Sequence, residues 1–134
     1  MDAARNHAPA RLIARARTLA PAESAGIPWL LGLQRDERER ALSDLKVVQV
    51  SAGELLCRVG RPATYWFGVV DGLLKMSNDT AMGIPITFTG IPPGGWFGEG
   101  TLLKHEPYRY NIQALRRSLL AGITVSTFDD LLSR

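Results

Sequence analysis

Residues 93–111 read PGGWFGEGTLLKHEPYRYN, and this stretch decides the fold. It opens on a turn at Gly94 and Gly95, passes Gly98 and Glu99, and crosses a short apolar run at Leu102 and Leu103. It then reaches Arg109 just ahead of a strand-like segment. These are the parts of a phosphate cradle. Glycines let backbone N–H groups approach an anion, a short helix adds its positive end, and an arginine supplies a planar, two-pronged donor. A glycine-rich loop alone is common to many folds, so its surroundings carry the reading.

Upstream of the cradle, from Lys46, short β-rich runs alternate with glycine turns. Residues 47–50, 54–59, 65–70, 73–77 and 84–89 read as strands, broken at Gly53, at Gly60-Arg61-Pro62 and at the polar turn 78–83. Asp71-Gly72 is a hairpin signal that returns 65–70 into 73–77. Pro85 places 84–89 at a sheet edge, because proline cannot donate to a ladder. Downstream, 110–115 and 119–125 complete the set. Roughly eight short strands at this spacing predict a mainly β fold with flanking helices, an antiparallel β-roll or jelly roll (a double-stranded β-helix).

Helical patterns flank the strands. In 11–20, Leu12, Ile13, Ala16 and Leu19 fall near one face until Pro21 ends the pattern. In 28–45, Trp29, Leu30 and Leu31 precede a charged run, and Ala41, Leu42 and Leu45 recur at helical spacing, with Asp36 and Arg40 at i, i+4. Residues 1–27 are therefore read as a partly helical N-terminal arm, and 28–134 as the β-roll. Ser126-Thr127-Phe128-Asp129 reads as a helix start, with Ser126 or Thr127 as cap and acids in the first turn. The sequence stops at Arg134, about two turns on. So short a helix is marginal alone, which predicts a chain cut ahead of a longer one.

This order of features resembles the cyclic-nucleotide-binding domain. Its texture is that of the sensor domain of the catabolite-activator and fumarate-nitrate-regulator (Crp/Fnr) family of bacterial transcription regulators. The resemblance covers about 28–134. The turn glycines match at Gly53, Gly60, Gly72 and Gly94, and the cassette matches at Phe97-Gly98-Glu99, followed by Arg109. It implies that backbone N–H groups of Gly98, Glu99, Gly100 and Thr101 face a cyclic phosphate, that Glu99 accepts from a ribose hydroxyl, and that Arg109 pairs with the phosphate oxygens, beside Tyr110. The implied ligand is cyclic AMP or another cyclic nucleotide. A helix beginning near Thr127 is implied as a homodimer interface leading to a DNA-binding domain outside this chain. Kinase regulatory subunits and channels use the same cassette. Two departures bear on the ligand. Tyr110 and Asn111 stand where nucleotide binders place Ser or Thr and then Ala, and Gly100 stands where an apolar residue is usual. These leave open a different small anion, or a decayed site kept as a structural or dimerising module.

Composition narrows the remaining classes. With 46% hydrophobic and 22% charged residues, the chain reads as a soluble domain, and no apolar run is long enough to span a membrane. Arg11, Arg15 and Arg17 interrupt any signal-peptide pattern, so a cytoplasmic location is expected. The net charge of +3 comes from scattered arginines with no recognition helix, so this segment is not expected to bind DNA by itself. Cys57 is the one cysteine and reads as a small buried hydrophobe. His7 and His105 cannot make the histidine cluster of a metal-binding cupin, and no metal is expected. No Ser–His–Asp or Cys–His arrangement is visible, and Asp129 and Asp130 point in different directions on a helix, so no catalysis is expected. Bland readings stand beside the sharp ones. Glu99 and Arg109 can pair with each other, and Trp96 and Phe97 read as core. Tyr108 and Tyr110, which share a face if on a strand, offer a base-stacking ring or a plug.

Overall fold

The computed structural model describes residues 15–79 and 85–133. In chain order its elements are β1 (Arg17–Thr18), two 3-10 turns (Pro21–Gly26 and Pro28–Gly32), α1 (Arg35–Asp44), β2 (Lys46–Val50) and β3 (Leu55–Cys57). Then follow β4 (Tyr65–Asp71), β5 (Leu74–Asp79), β6 (Pro85–Ile91), β7 (Trp96–Phe97) and α2 (Glu99–Leu103). The chain closes with β8 (Asn111–Ala114), β9 (Ser118–Thr124) and α3 (Val125–Leu132). The strands form two antiparallel sheets, ordered β1-β2-β9-β4-β7 and β3-β8-β5-β6. This is the β-roll expected from the turn spacing.

The first sheet is covered on both faces. Val48, Val50, Phe67, Val69 and Leu120 pack with Leu56, Leu74 and Ile112 of the second sheet. Val47, Ala121 and Ile123 pack instead with Ile27, Leu30, Ala41, Leu45 and Phe128 of the 3-10 turns and helices. Alternate residues of a strand point to opposite faces, so double coverage makes β9 an almost continuous apolar run. A second helical layer over the sheet is what that run requires.

Several local readings change. The Asp71-Gly72 step is not a hairpin: β4 pairs with β7 and β9, whereas β5 pairs with β6 and β8, so the turn carries the chain from one sheet to the other. A turn signal specifies a tight reversal and not the partner of the strand that leaves it. Gly72 has φ +114, and a Cβ there would lie 2.1 Å from Ser118 Oγ and 2.6 Å from Ser118 Cα. The Ser118 hydroxyl in turn accepts from Leu73 N–H at 3.1 Å and donates to Arg116 O at 2.8 Å. Gly72→Ala is expected to destabilise the fold by about 3 kcal/mol, from backbone strain plus overpacking. The check is a lower urea midpoint at unchanged slope.

The helix read over 11–20 reaches only Arg15 in its described part, since Arg17 and Thr18 pair with Val47 and Lys46 as β1; residues 11–14 lie outside the described residues. A short helix ahead of Pro21 is marginal, and the edge of β2 offers backbone partners. Arg17 also closes on Glu23 at 2.6 Å. The Arg17 guanidinium and the Ala20 N–H hold the Glu23 carboxyl at about 2, from an ordinary 4.5. A depressed folded value means that the contact stabilises above the ordinary value and is lost as pH falls from 4.5 toward 2. Acid unfolding of the native chain is expected to converge on that of Glu23→Gln across this window, and to stay above it at neutral pH.

The 28–45 pattern divides into a 3-10 turn and α1, where Gln34 N–H donates to Glu37 at 3.1 Å as a cap. Arg35–Glu39 is an exposed i, i+4 pair on α1, and Arg40 reaches Asp130 of α3 at 3.9 Å. The strand read over 54–59 shortens to β3, and β7 adds a pair inside the stretch read as loop. Asn78 and Asp79 extend β5 into the expected turn, of which 80–83 lie outside the described residues, as does residue 84 of the following strand reading. β6 sits at the edge of its sheet, as Pro85 requires. α3 starts earlier than read. Its cap is Thr124, whose Oγ1 accepts from Thr127 N–H at 3.3 Å, and no acid stands in its first turn. Asp44 at the end of α1 draws the cap back by accepting from Thr124 N–H at 2.8 Å and Thr124 Oγ1 at 3.0 Å.

Candidate functional site

The cradle turn lies between the two sheets' margins. β7 pairs with β4 through Phe97↔Phe67 and Trp96↔Gly68, which places the following turn at the end of the roll. Gly68 makes this possible, since a Cβ there would sit 2.1 Å from the Trp96 ring. At Gly98 the backbone turns with φ +94, and α2 begins at once, with Leu102 N–H donating to Gly98 O at 2.9 Å. The first N–H groups of such a helix have no intrahelical acceptor. The turn opens on a cleft of about 270 Å³, lined by Met76, Trp96, Phe97, Gly98, Glu99, Thr101 and Tyr110.

Four of the six residues read as ligand-binding meet at this cleft: Gly98, Glu99, Thr101 and Tyr110. Gly100 lies between two of them on α2. Arg109 does not line the cleft. Its side chain is 73% exposed, and its Nη2 meets Glu106 Oε2 at 3.0 Å, three residues back. Glu99 has a different partner, because its Oε2 accepts from the Trp66 indole N–H at 3.3 Å. The direct Glu99–Arg109 pair is therefore not formed. An arginine on a polar loop finds the nearest carboxylate, and Glu106 is local.

Tyr108 and Tyr110 are not on a strand but in the loop ahead of β8. They meet edge to face at 5.8 Å. Tyr108 is buried, with its hydroxyl donating to Tyr65 O at 3.4 Å and hydrogen-bonded with Cys57; burial raises its pKa. Burial also pushes the Cys57 thiol up to about 12, which makes it a core group rather than a nucleophile. Tyr110 is half-buried, and burial raises its pKa, against a hydrogen bond with Thr101 that lowers it. Its hydroxyl stands so near the turn that a Cβ on Gly98 would come within 3.3 Å of it. Tyr110 thus brings a hydroxyl to the cradle from the far end of a ring. Asn111 turns elsewhere, accepting from Val59 N–H at 3.0 Å.

Three residues of the site were not singled out from sequence as such. Met76 arrives from β5 through its register with Ile112 of β8. Trp66 and Trp96 belong to an aromatic cluster with Trp29 and Phe128, with ring centroids 4.6 to 5.2 Å apart. Phe97 is core, as read, and Trp96 is both core and cleft wall. His105 is exposed with φ +55, and His7 lies outside the described residues. Among the described residues no three His, Cys, Asp or Glu side chains converge as metal ligands, and no helix is long and apolar enough to cross a membrane.

The family profile described as "Cyclic nucleotide-binding domain" matches residues 47–134. A cyclic nucleotide-gated potassium channel of Mesorhizobium japonicum is 29% identical over 89 residues, which are 66% of this chain and 23% of the channel. The regulatory domain of Toxoplasma gondii PKA, solved with cAMP, superposes with a TM-score of 0.74 at 21% identity, over 83% of this chain and 43% of that one. The sensor domain of the transcriptional regulator DNR from Pseudomonas aeruginosa superposes with a TM-score of 0.73 at 19% identity, over 85% of this chain and 81% of that one. The chain thus spans under a quarter of the channel and under half of the Toxoplasma protein. At these identities the two structures share its fold.

Proposed function

The chain belongs to the cyclic nucleotide-binding domain family, and on that premise we propose that it is the effector-sensing domain of a Crp/Fnr-type transcription regulator. The observation that carries the effector reading is the cleft, in which a positive-φ glycine, the Thr101 and Tyr110 hydroxyls and the Glu99 carboxylate converge. The match in extent to an isolated bacterial sensor domain supports the regulator assignment. In this reading a cyclic phosphate sits against the turn from Gly98 through Gly100 to Thr101. Arg109 leaves Glu106 to meet it, and Glu99 takes a ribose hydroxyl. Residues 28–134 form the sensor and 1–27 an arm whose β1 joins the sheet. Binding acts by favouring one of two placements of α3, since a ligand shifts an equilibrium only through unequal affinity for its states. Homodimerisation through the α3 helix, DNA contact through a separate domain, a cytoplasmic location and a non-catalytic role belong to the same reading.

A second reading has its own support. The outward Arg109–Glu106 pair and the Tyr110 ring in the cleft favour a decayed site kept as a structural or dimerising module. The channel relative favours a third, a regulatory domain of a channel, and the Toxoplasma structure a kinase counterpart. Thermal unfolding with cyclic AMP, cyclic GMP and cyclic dinucleotides separates sensing from decay. A rise in Tm with at least one of them is expected, and no rise with any would leave the decayed module standing.

A further inference from the structure

We infer that Trp66 is a positioning residue that orients Glu99, and through it makes the cleft select ligands carrying a sugar hydroxyl. The inference rests on the effector reading above and concerns a residue outside the cassette. Trp66 lies on β4, in register with Ile123 of β9, so its backbone is fixed by the sheet. Its ring is held by Trp29 at 5.2 Å, Trp96 at 4.6 Å and Phe128 at 5.2 Å. The three indoles of this cluster differ in one respect. The N–H groups of Trp29 and Trp96 are buried with no acceptor among the described residues, whereas that of Trp66 donates at 3.3 Å to Oε2 of Glu99, a residue of the cleft wall.

That contact divides the work of the carboxylate. One oxygen is held by a donor that cannot move without disturbing three aromatic neighbours. The other has no partner among the described residues and is left to the cleft. A carboxylate only accepts, so the free oxygen is satisfied by a ligand donor. A ligand without a hydroxyl at that point displaces water from the oxygen and returns nothing, which is the way polar sites reject an analogue lacking one group. Without the indole, the exposed Glu99 side chain turns freely, and part of this discrimination is lost to its rotamer freedom.

The test compares cyclic AMP with 2′-deoxy cyclic AMP on the native chain and on Trp66→Phe, which keeps an aromatic ring and removes the N–H. We expect cyclic AMP to weaken about fivefold and the deoxy ligand less than twofold, so that the preference for the hydroxyl shrinks. Equal weakening of both would show that Trp66 only packs, and would overturn the inference while leaving the effector reading intact. Failure of the native chain to bind either ligand would overturn both. A second measurement needs no variant. In the native chain the Trp66 indole proton resonance should shift on adding cyclic AMP and stay near its free position with the deoxy ligand. The same shift with both would again overturn the inference.

Discussion

Replacing Arg109 by alanine is expected to weaken cyclic AMP binding about a hundredfold, or about 3 kcal/mol, in titration calorimetry. The figure follows from two competing contacts. In the free protein Arg109 is 73% exposed and paired with Glu106 at 3.0 Å. An exposed pair of this kind is worth about 1 kcal/mol or less. Two parallel, charge-assisted bonds to a phosphate are worth more. The arginine therefore has a net gain in leaving Glu106. The same comparison gives a control: Glu106→Gln removes the competitor and should tighten binding by about two- to fivefold. Binding unchanged by Arg109→Ala would mean that the phosphate is held by the backbone turn and the Tyr110 hydroxyl alone.

Phe128→Ala is expected to cost about 3–5 kcal/mol of folding stability. Phe128 is 4% exposed, stands 5.2 Å from Trp66, and is the buried aromatic anchor of α3 in the helical layer. The other ties of that helix are the partly buried Val125 and Leu131 packed against the same cluster, the Asp44–Thr124 cap and the long Arg40–Asp130 pair. Urea unfolding measures the loss, and the emission of the Trp cluster should move to longer wavelength as Trp66 is uncovered. A loss below about 1 kcal/mol would mean that the ring is not packed against β4. Because Trp66 also touches Glu99, this variant places helix docking and the cleft on one physical chain of contacts.

What was legible in the sequence divides along the range of the forces involved. Gly53, Gly60, Gly72 and Gly94 marked turns because each adopts a positive φ, a local demand that no side chain elsewhere alters. Pro85 marked an edge because a missing donor is also a local property. Partners across the chain were not legible. The Asp71-Gly72 turn gave a reversal and not the sheet that receives β5. The cap of α3 sat at Thr124 because Asp44, 80 residues away, reaches it. Gly98 and Glu99 fall together at the cleft because they are neighbours in the chain. The orientation of Arg109 depended on a choice between Glu106 and the cleft, and residue types alone do not make that choice. Trp66 could not be connected to Glu99, because 33 residues separate a strand interior from the start of α2 and only the paired sheet brings them together.

The central claim is that an effector occupies the turn at Gly98–Thr101, and amide chemical-shift mapping during a titration with cyclic AMP and cyclic GMP tests it most directly. The account predicts saturable shifts concentrated on the amides of Gly98, Glu99, Gly100, Thr101 and Tyr110, with smaller ones reaching Phe128. Absence of shifts at millimolar ligand, or shifts centred away from this turn, would contradict it.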